Sequence, residues 1–416
     1  MIHIKKFKLY PPYTILMTIY LFFIVFAFIL DSPIEIIKGL KNIILSPDIL
    51  ISDYVEIGGI GASLINSALT SIFSLLLLAF IGVKPIGSTI MSLWLMTGFS
   101  FFGKNILNIW PIIAGVYLYS RYQKEPFLNY SLVAMLSTTL APTVSQLSFT
   151  SFFSRPIGII LGYLIGLLTG FILAPISSHC IKVHSGYNLY NIGFSAGIYA
   201  TLLMSILRSL GIEFESRMLW NTDSNYIFAI LLLIISIYLI FLGVYKNPSI
   251  KKDFLSLTKQ SGKLVSDFYI SFGNTCYFNM GILCFLSTVL VLALKSHLNG
   301  PTIAGIFTIV GFGAFGKHLV NVIPIIIGAI LGSLININPI NSPSLILAIL
   351  FSTALAPIAG KFGYKVGILA GFLHVSMVSN IGYLHGGLNL YNNGLAAGFV
   401  AMILIPIINI FKKETL

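Results

Sequence analysis

Residues 98–115 read GFSFFGKNILNIWPIIAG, and residues 311–328 read GFGAFGKHLVNVIPIIIG. Ten of the 18 aligned positions are identical, at an offset of 213. A second pair lies further along each half. Residues 184–197, HSGYNLYNIGFSAG, match residues 385–398, HGGLNLYNNGLAAG, at nine of 14 positions. Between them STTLAP (137–142) matches STALAP (352–357), and upstream Ser52-Asp53-Tyr54 matches Ser266-Asp267-Phe268. The blocks keep their order. Apolar bias produces Leu/Ile coincidences, but it does not align Gly, Pro, Lys, Asn and Tyr. The chain therefore reads as two copies of one unit, repeat A over 1–213 and repeat B over 214–416.

The composition says where such a unit lives. Of 416 residues, 57% are hydrophobic and 9% charged, against about 25% charged in soluble domains. Apolar runs such as 13–30 and 227–242 approach the roughly 20 residues that cross a bilayer as a helix. Lipid satisfies no backbone polar group, so the runs must be helical. The expected fold is an all-α integral membrane protein. Lys5, Lys6 and Lys8 before an apolar run that ends at Asp31 fit an uncleaved first span. The net charge of +12 sits in loops between spans, so no nucleic-acid partner is implied. Cys180, Cys276 and Cys284 form neither a disulfide framework nor a metal pattern and read as small buried apolar residues.

Charge gives each copy a direction, because Lys and Arg collect on the cytoplasmic side. Residues 31–57 carry two Lys against five Asp/Glu, whereas the matched loop 245–272 carries five Lys against two Asp. The same element then faces opposite sides in the two halves, the pattern of inverted-topology repeats. An inverted repeat needs an odd number of crossings. Repeat A supplies five, near 13–30, 58–82, 128–150, 156–177 and 189–207. The stretch 87–120 is left as a re-entrant hairpin or broken helix with GFSFFGKN near its tip. Repeat B repeats this from 226 to 410, with its hairpin at 300–333. Both termini are expected in the cytoplasm, in the inner membrane of a bacterium.

The polar residues that fall at matched breaks are the candidate solute or ion pathway. Lys104 and Lys317 align in the hairpins, where a buried ammonium costs about 2.5–3.5 kcal/mol even on a lenient scale. Asn105, Asn108, His318 and Asn321 flank them. The second constellation is His184, Asn188, Tyr190 and Asn191 with His385, Asn389, Tyr391 and Asn392. Its asparagines suit helix N-caps as well as a polar solute. The third is Ser137 and Thr138 with Ser352 and Thr353, beside the Ala-Pro steps. All 12 acidic residues fall outside the apolar runs, which argues against a carboxylate relay.

The FGKxxxNxxPI and NLYNxGxxAG blocks resemble those of an uncharacterised bacterial integral membrane family, domain of unknown function 1576, over essentially the whole chain. The resemblance implies a bacterial cytoplasmic membrane protein and no established activity. Five spans plus a re-entrant segment, duplicated and inverted, is also similar in plan to urea transporters, although none of their site residues carries over. The expected function is a transporter or channel for a small polar or anionic solute, with its path between the halves. The expected partners are the bilayer, that small molecule or ion, and a further copy of the chain. An embedded enzyme using His179, His184, His374 or His385 is the alternative. With no HExxH, no GxSxG and no acidic partner, neither catalytic residues nor a cofactor are expected.

Overall fold

A computed structural model of the protein describes residues 10–264 and 266–413; Lys5, Lys6 and Lys8 lie outside them. The described residues are helical, without strands. The first half runs α1 (Pro11–Leu30), α2 (Pro33–Leu45), α3 (Tyr54–Gly58), α4 (Ile60–Phe80), α5 (Gly87–Phe99), α6 (Trp110–Tyr122), α7 (Ser131–Ser137), α8 (Ala141–Phe149), α9 (Arg155–Val183) and α10 (Asn191–Ser209). The second runs α11 (Asn225–Val244), α12 (Ile250–Leu257), α13 (Phe268–Phe272), α14 (Thr275–Ala293), α15 (Gly300–Phe312), α16 (Leu319–Leu334), α17 (Pro343–Ser352), α18 (Ala356–Phe362), α19 (Tyr364–Ile381) and α20 (Asn392–Lys413). The order of long, short and broken helices is the same in both.

Nine helical stretches among the described residues are long and apolar enough to cross a membrane. All five spans expected in the first half are among them, within a few residues. The protein is thus a multi-pass membrane protein. Two of the nine stretches, Phe127–Phe149 and Pro343–Phe362, are interrupted by tight turns at Thr138–Leu140 and Thr353–Leu355. Each interruption stands where Pro142 or Pro357 lacks the N–H that would carry the helix on.

The breaks after α5 and α15 have a different cause. Gly103 and Gly316 adopt φ of +87° and +118°, a region open to glycine at little cost. The chain turns there, and the next N–H, from Lys104 or Lys317, reaches back to Phe99 O or Phe312 O at 3.0 and 2.8 Å.

The halves meet through an interface that exchanges partners. Helices α5 and α15 pack antiparallel, with Gly98 against Ala304 and Phe307, and Gly311 against Trp94 and Met91. At one end Gly87 N donates to Asp267 Oδ1 at 3.0 Å, and at the other Gly300 N donates to Asp53 Oδ1 at 3.2 Å. Each carboxylate also caps its own short helix, through Val55 N or Ile270 N. One negative charge therefore serves two helix N-termini, where the peptide dipoles favour it. Gly193 and Gly394 bring α10 and α20 together at their N-terminal ends. A residue of the first half touching one of the second is mirrored by its mate touching the converse, the mark of a two-fold interface.

Candidate functional site

Each break, after α5 and after α15, is stapled by one asparagine of the preceding long helix, α4 or α14. Asn66 Nδ2 donates to the carbonyls of Ser100 (2.7 Å) and Lys104 (2.9 Å). Asn279 Nδ2 donates to those of Gly313 and Lys317, both at 2.8 Å. These carbonyls belong to broken helix ends and lack intrahelical partners, so one amide closes both. The two asparagines share the 213 offset. That shared offset is the signal that marks them in the sequence, since neither stands in a conspicuous motif.

Lys104 and Lys317 are both 0% exposed. Lys104 Nζ donates to Tyr391 OH at 2.8 Å, and Lys317 Nζ to Tyr190 OH at 2.5 Å. Each lysine thus reaches a tyrosine of the other half. Each ammonium also lies over aromatic rings: Tyr391 and Phe99 at 4.9 and 5.4 Å for Lys104, and Tyr190 and Phe312 at 4.5 and 4.9 Å for Lys317. Such faces attract a cation, the more so away from water. No carboxylate pairs with either lysine; the one ion pair among the described residues is Arg208–Glu213.

Between the two lysine–tyrosine pairs lies a cavity of about 20 Å³, room for a single water. Its lining comes in matched pairs: Phe99 with Phe312, Tyr190 with Tyr391, and Leu136 with Phe351. The lysines stand behind the tyrosines and do not line it. A phenol that accepts from an ammonium still has its own proton to donate. That of Tyr190 is within reach of Thr353 Oγ1 at 3.4 Å, and the cavity wall is almost wholly apolar.

Two chambers adjoin this cavity. A vestibule of about 740 Å³ shares Leu136, Leu189 and Ile192 with it and is rimmed by Lys182 and Lys263, with no acidic residue in its lining. A chamber of about 80 Å³ on the other side shares Phe351 and Asn393.

The other expected site residues divide. Asn105 and Asn108 bond reciprocally in the turn ahead of α6: Asn108 N donates to Asn105 Oδ1 and Asn105 N to Asn108 Oδ1, both at 2.9 Å. His318 and Asn321 form the same box at α16. Asn188 Nδ2 donates to Gly394 O (2.9 Å) and Asn389 Nδ2 to Gly193 O (3.0 Å), clamping the halves together. Their expected capping role at α10 is not what the fold uses, since Tyr190 occupies the N-cap without a side-chain bond. Asn191 and Asn392 face the vestibule and the small chamber while binding His184 Nε2 and His385 Nε2 at 2.9 and 2.7 Å. Burial lowers the basicity of both histidines. Ser352 is tied to Ile349 O, Thr353 accepts from Lys317 Nζ at 2.7 Å, and Thr138 donates to Met96 Sδ and Met135 O. Ser137 Oγ is buried without a partner. The carbonyls freed at the tight turns do not face an ion: Thr139 O and Ala354 O accept from Leu390 N and Leu189 N. No group of three His, Cys, Asp or Glu able to hold a metal occurs among the described residues, and the three cysteines are buried and free.

Two acidic residues depart from expectation, Asp53, 0% exposed at the α15 N-terminus, and Asp48. Asp48 lies between helices, outside any apolar run, yet it is 0% exposed. Tyr54 OH and Asn108 Nδ2 donate to its Oδ2 at 2.9 and 3.3 Å, and its Oδ1 has no partner. Burial pushes this carboxyl up to about 7, against the opposing pull of Tyr54, Ser145, Arg217 and Asn108. The loop folds back onto the hairpin, which its sequence position does not reveal.

The profile of a family described as "Protein of unknown function (DUF1576)" matches residues 32–209 and 246–410. The chain belongs to that family. No curated protein and no solved structure matches the chain.

Proposed function

We propose that the protein carries a small anion across the membrane, along a path between its two halves. The observation behind this reading is the pair of fully buried lysines, each held by a tyrosine of the opposite half beside one cavity. Two ammonium groups without a carboxylate are expensive at membrane depth, and a passing anion offsets that cost. The basic rim and acid-free lining of the vestibule suit the same cargo.

The halves act as inverted repeats, 1–213 and 214–416, each with five crossings and one re-entrant hairpin; the second half supplies four of the nine long apolar stretches, and α19 (Tyr364–Ile381) is taken as its fifth crossing. Antiparallel α5 and α15 support this, because the two hairpins then enter from opposite faces. Tyr13 OH bonded to Val83 O puts the start of α1 beside the end of α4, and Asp31 bonded to Gly61 N pairs the other ends. By the charge bias of the loops, the vestibule opens on the cytoplasmic face and both termini lie there. The membrane is the inner membrane of a bacterium. The protein is not an enzyme in this reading.

The test is flux into proteoliposomes, using nitrate, formate and acetate as probes. Wild-type protein should pass at least one of them, and a Lys104→Ala, Lys317→Ala double variant should not. Wild-type flux in that variant would remove the lysines from the mechanism.

A further inference from the structure

The vestibule and the small chamber are the same place in the two halves. Leu132, Leu136, Ser178, Leu189, Asn191 and Phe315 line the first. Their mates Leu347, Phe351, Ser379, Leu390, Asn392 and Phe102 line the second. The offsets are those of the surrounding repeat blocks. Helices α9 and α19 keep one of them independently, since Gly170 packs on Ile112 O and Gly371 on Ile325 O. Two matched sites nevertheless differ ninefold in volume, about 740 against 80 Å³. Their side chains differ in the same sense. Leu132, Val133 and Phe315 are half-buried, while Leu347, Ala348 and Phe102 are 5%, 1% and 0% exposed. The central cavity shares walls with both and, at about 20 Å³, is too tight to be a pore.

From this we infer that the protein is an alternating-access carrier whose opposite-facing state is reached when the halves exchange conformations. The inference rests on the solute path described above. In the exchanged state the chamber at Leu347, Leu390 and Asn392 opens and the vestibule at Leu132, Leu189 and Asn191 shuts. Because the halves are built alike, packing given up in one half is regained by the mated residues of the other, so the two states lie close in energy. A solute then shifts the balance only by its different affinity for each. The moving parts are the segments that close the small chamber, α17 with the tight turn that follows it and the loop 46–53, and their mates beside the vestibule, α7 with its own tight turn and the loop 258–264. Repeat-based rocking around a central site is a known solution for transporters; here the unequal twin chambers identify it.

Cysteine accessibility tests the exchange. Cys180, Cys276 and Cys284 are replaced by Ala, and Leu132→Cys and Leu347→Cys are added singly and together. A membrane-impermeant maleimide is applied to vesicles of each orientation. Leu132→Cys should react from the vestibule face, and Leu347→Cys from the opposite face at least tenfold more slowly. In the double variant, a bulky maleimide wedged at position 132 should slow reaction at 347 by a further tenfold or more. Ile337→Cys, at a position 98% exposed, reports folding and sidedness and should be unaffected. Unchanged reaction at 347 after wedging would mean a static or independently gated pore and overturn the proposal. So would a residue 347 that never reacts while anion flux is intact. Mutual exclusion with no flux of nitrate, formate or acetate would keep the exchange and discard the anion reading.

Discussion

The two lysine corners are built from the same residues and end differently. Lys317 donates to two oxygens, Tyr190 OH and Thr353 Oγ1. Lys104 has one oxygen, Tyr391 OH, and the thioether of Met96 at 3.6 Å, and sulfur is a weak acceptor. Met96 stands where the second half has Ile309, and it takes the Thr138 hydroxyl that would otherwise mirror Thr353. The difference extends outward. The first half packs Asp48, Tyr54 and Ser145 around Asn108. The second has Gly262, Phe268 and Gly360 at the matched positions, and Asn321 Nδ2 is bonded to Gly316 O. One corner is a satisfied brace; the other is short of acceptors and has a titrating carboxyl nearby that its counterpart lacks. Under the proposed anion path, the greater unmet demand lies at Lys104.

The largest effect that would break this contrast is on the lysines themselves. Hydrogen bonds to charged groups contribute about 1.5–3 kcal/mol, so Lys104→Met and Lys317→Met should each lower anion flux by about ten- to a hundredfold. Their stabilities should diverge in detergent melting curves: Lys317→Met falls, and Lys104→Met does not, because an under-satisfied buried charge is costly to keep. Equal melting shifts would erase the distinction between the corners. The next effect is one in which the halves should agree. Asn66→Ala and Asn279→Ala each free two broken-end carbonyls and should each lose about 2 kcal/mol of stability; a loss in only one would mean that the hairpins are not held alike.

A smaller effect separates the halves by pH. Asp48 has a folded pKa raised to about 7 from its ordinary 3.8, so the folded state holds a proton that the unfolded chain releases. Its contribution is fully present below about pH 4 and is lost as pH climbs to about 7, at on the order of 1 kcal/mol per pH unit. Burial raises Asp53 to about 7 as well, so Asp48→Asn should remove about half of that slope. Ser145→Ala removes one of the bonds that hold this carboxyl down and should extend the slope to higher pH, and an unchanged slope in Asp48→Asn would assign the titration elsewhere. The least effect is Met96→Ile, which gives the first corner the residue of the second. Sulfur contacts are individually weak, so flux should change by less than about threefold.

Much of the site was readable at the motif level, where Lys104 and Lys317 stand out as charges that apolar helices rarely tolerate. Their partners were half-readable. Tyr190 and Tyr391 lie in the second repeated block, but only folding brings them to the lysine of the opposite half. Asn188 and Asn389 look like ligands and serve as clamps, because each donates to a buried glycine carbonyl of the other half, Gly394 or Gly193. Asp48 was unreadable, since a carboxylate between helices normally faces water.

By itself the sequence determined the bilayer as solvent, the duplication, the five spans of the first half and the position of both breaks. Each follows from local facts: apolar length, repeated Gly and Pro, and charge in the loops. Only the tertiary structure decided which lysine meets which tyrosine, that a loop carboxyl is buried, and that twin chambers stand open on one side and shut on the other. These depend on how two related halves pack against each other, and the repeated motifs alone do not specify which half yields.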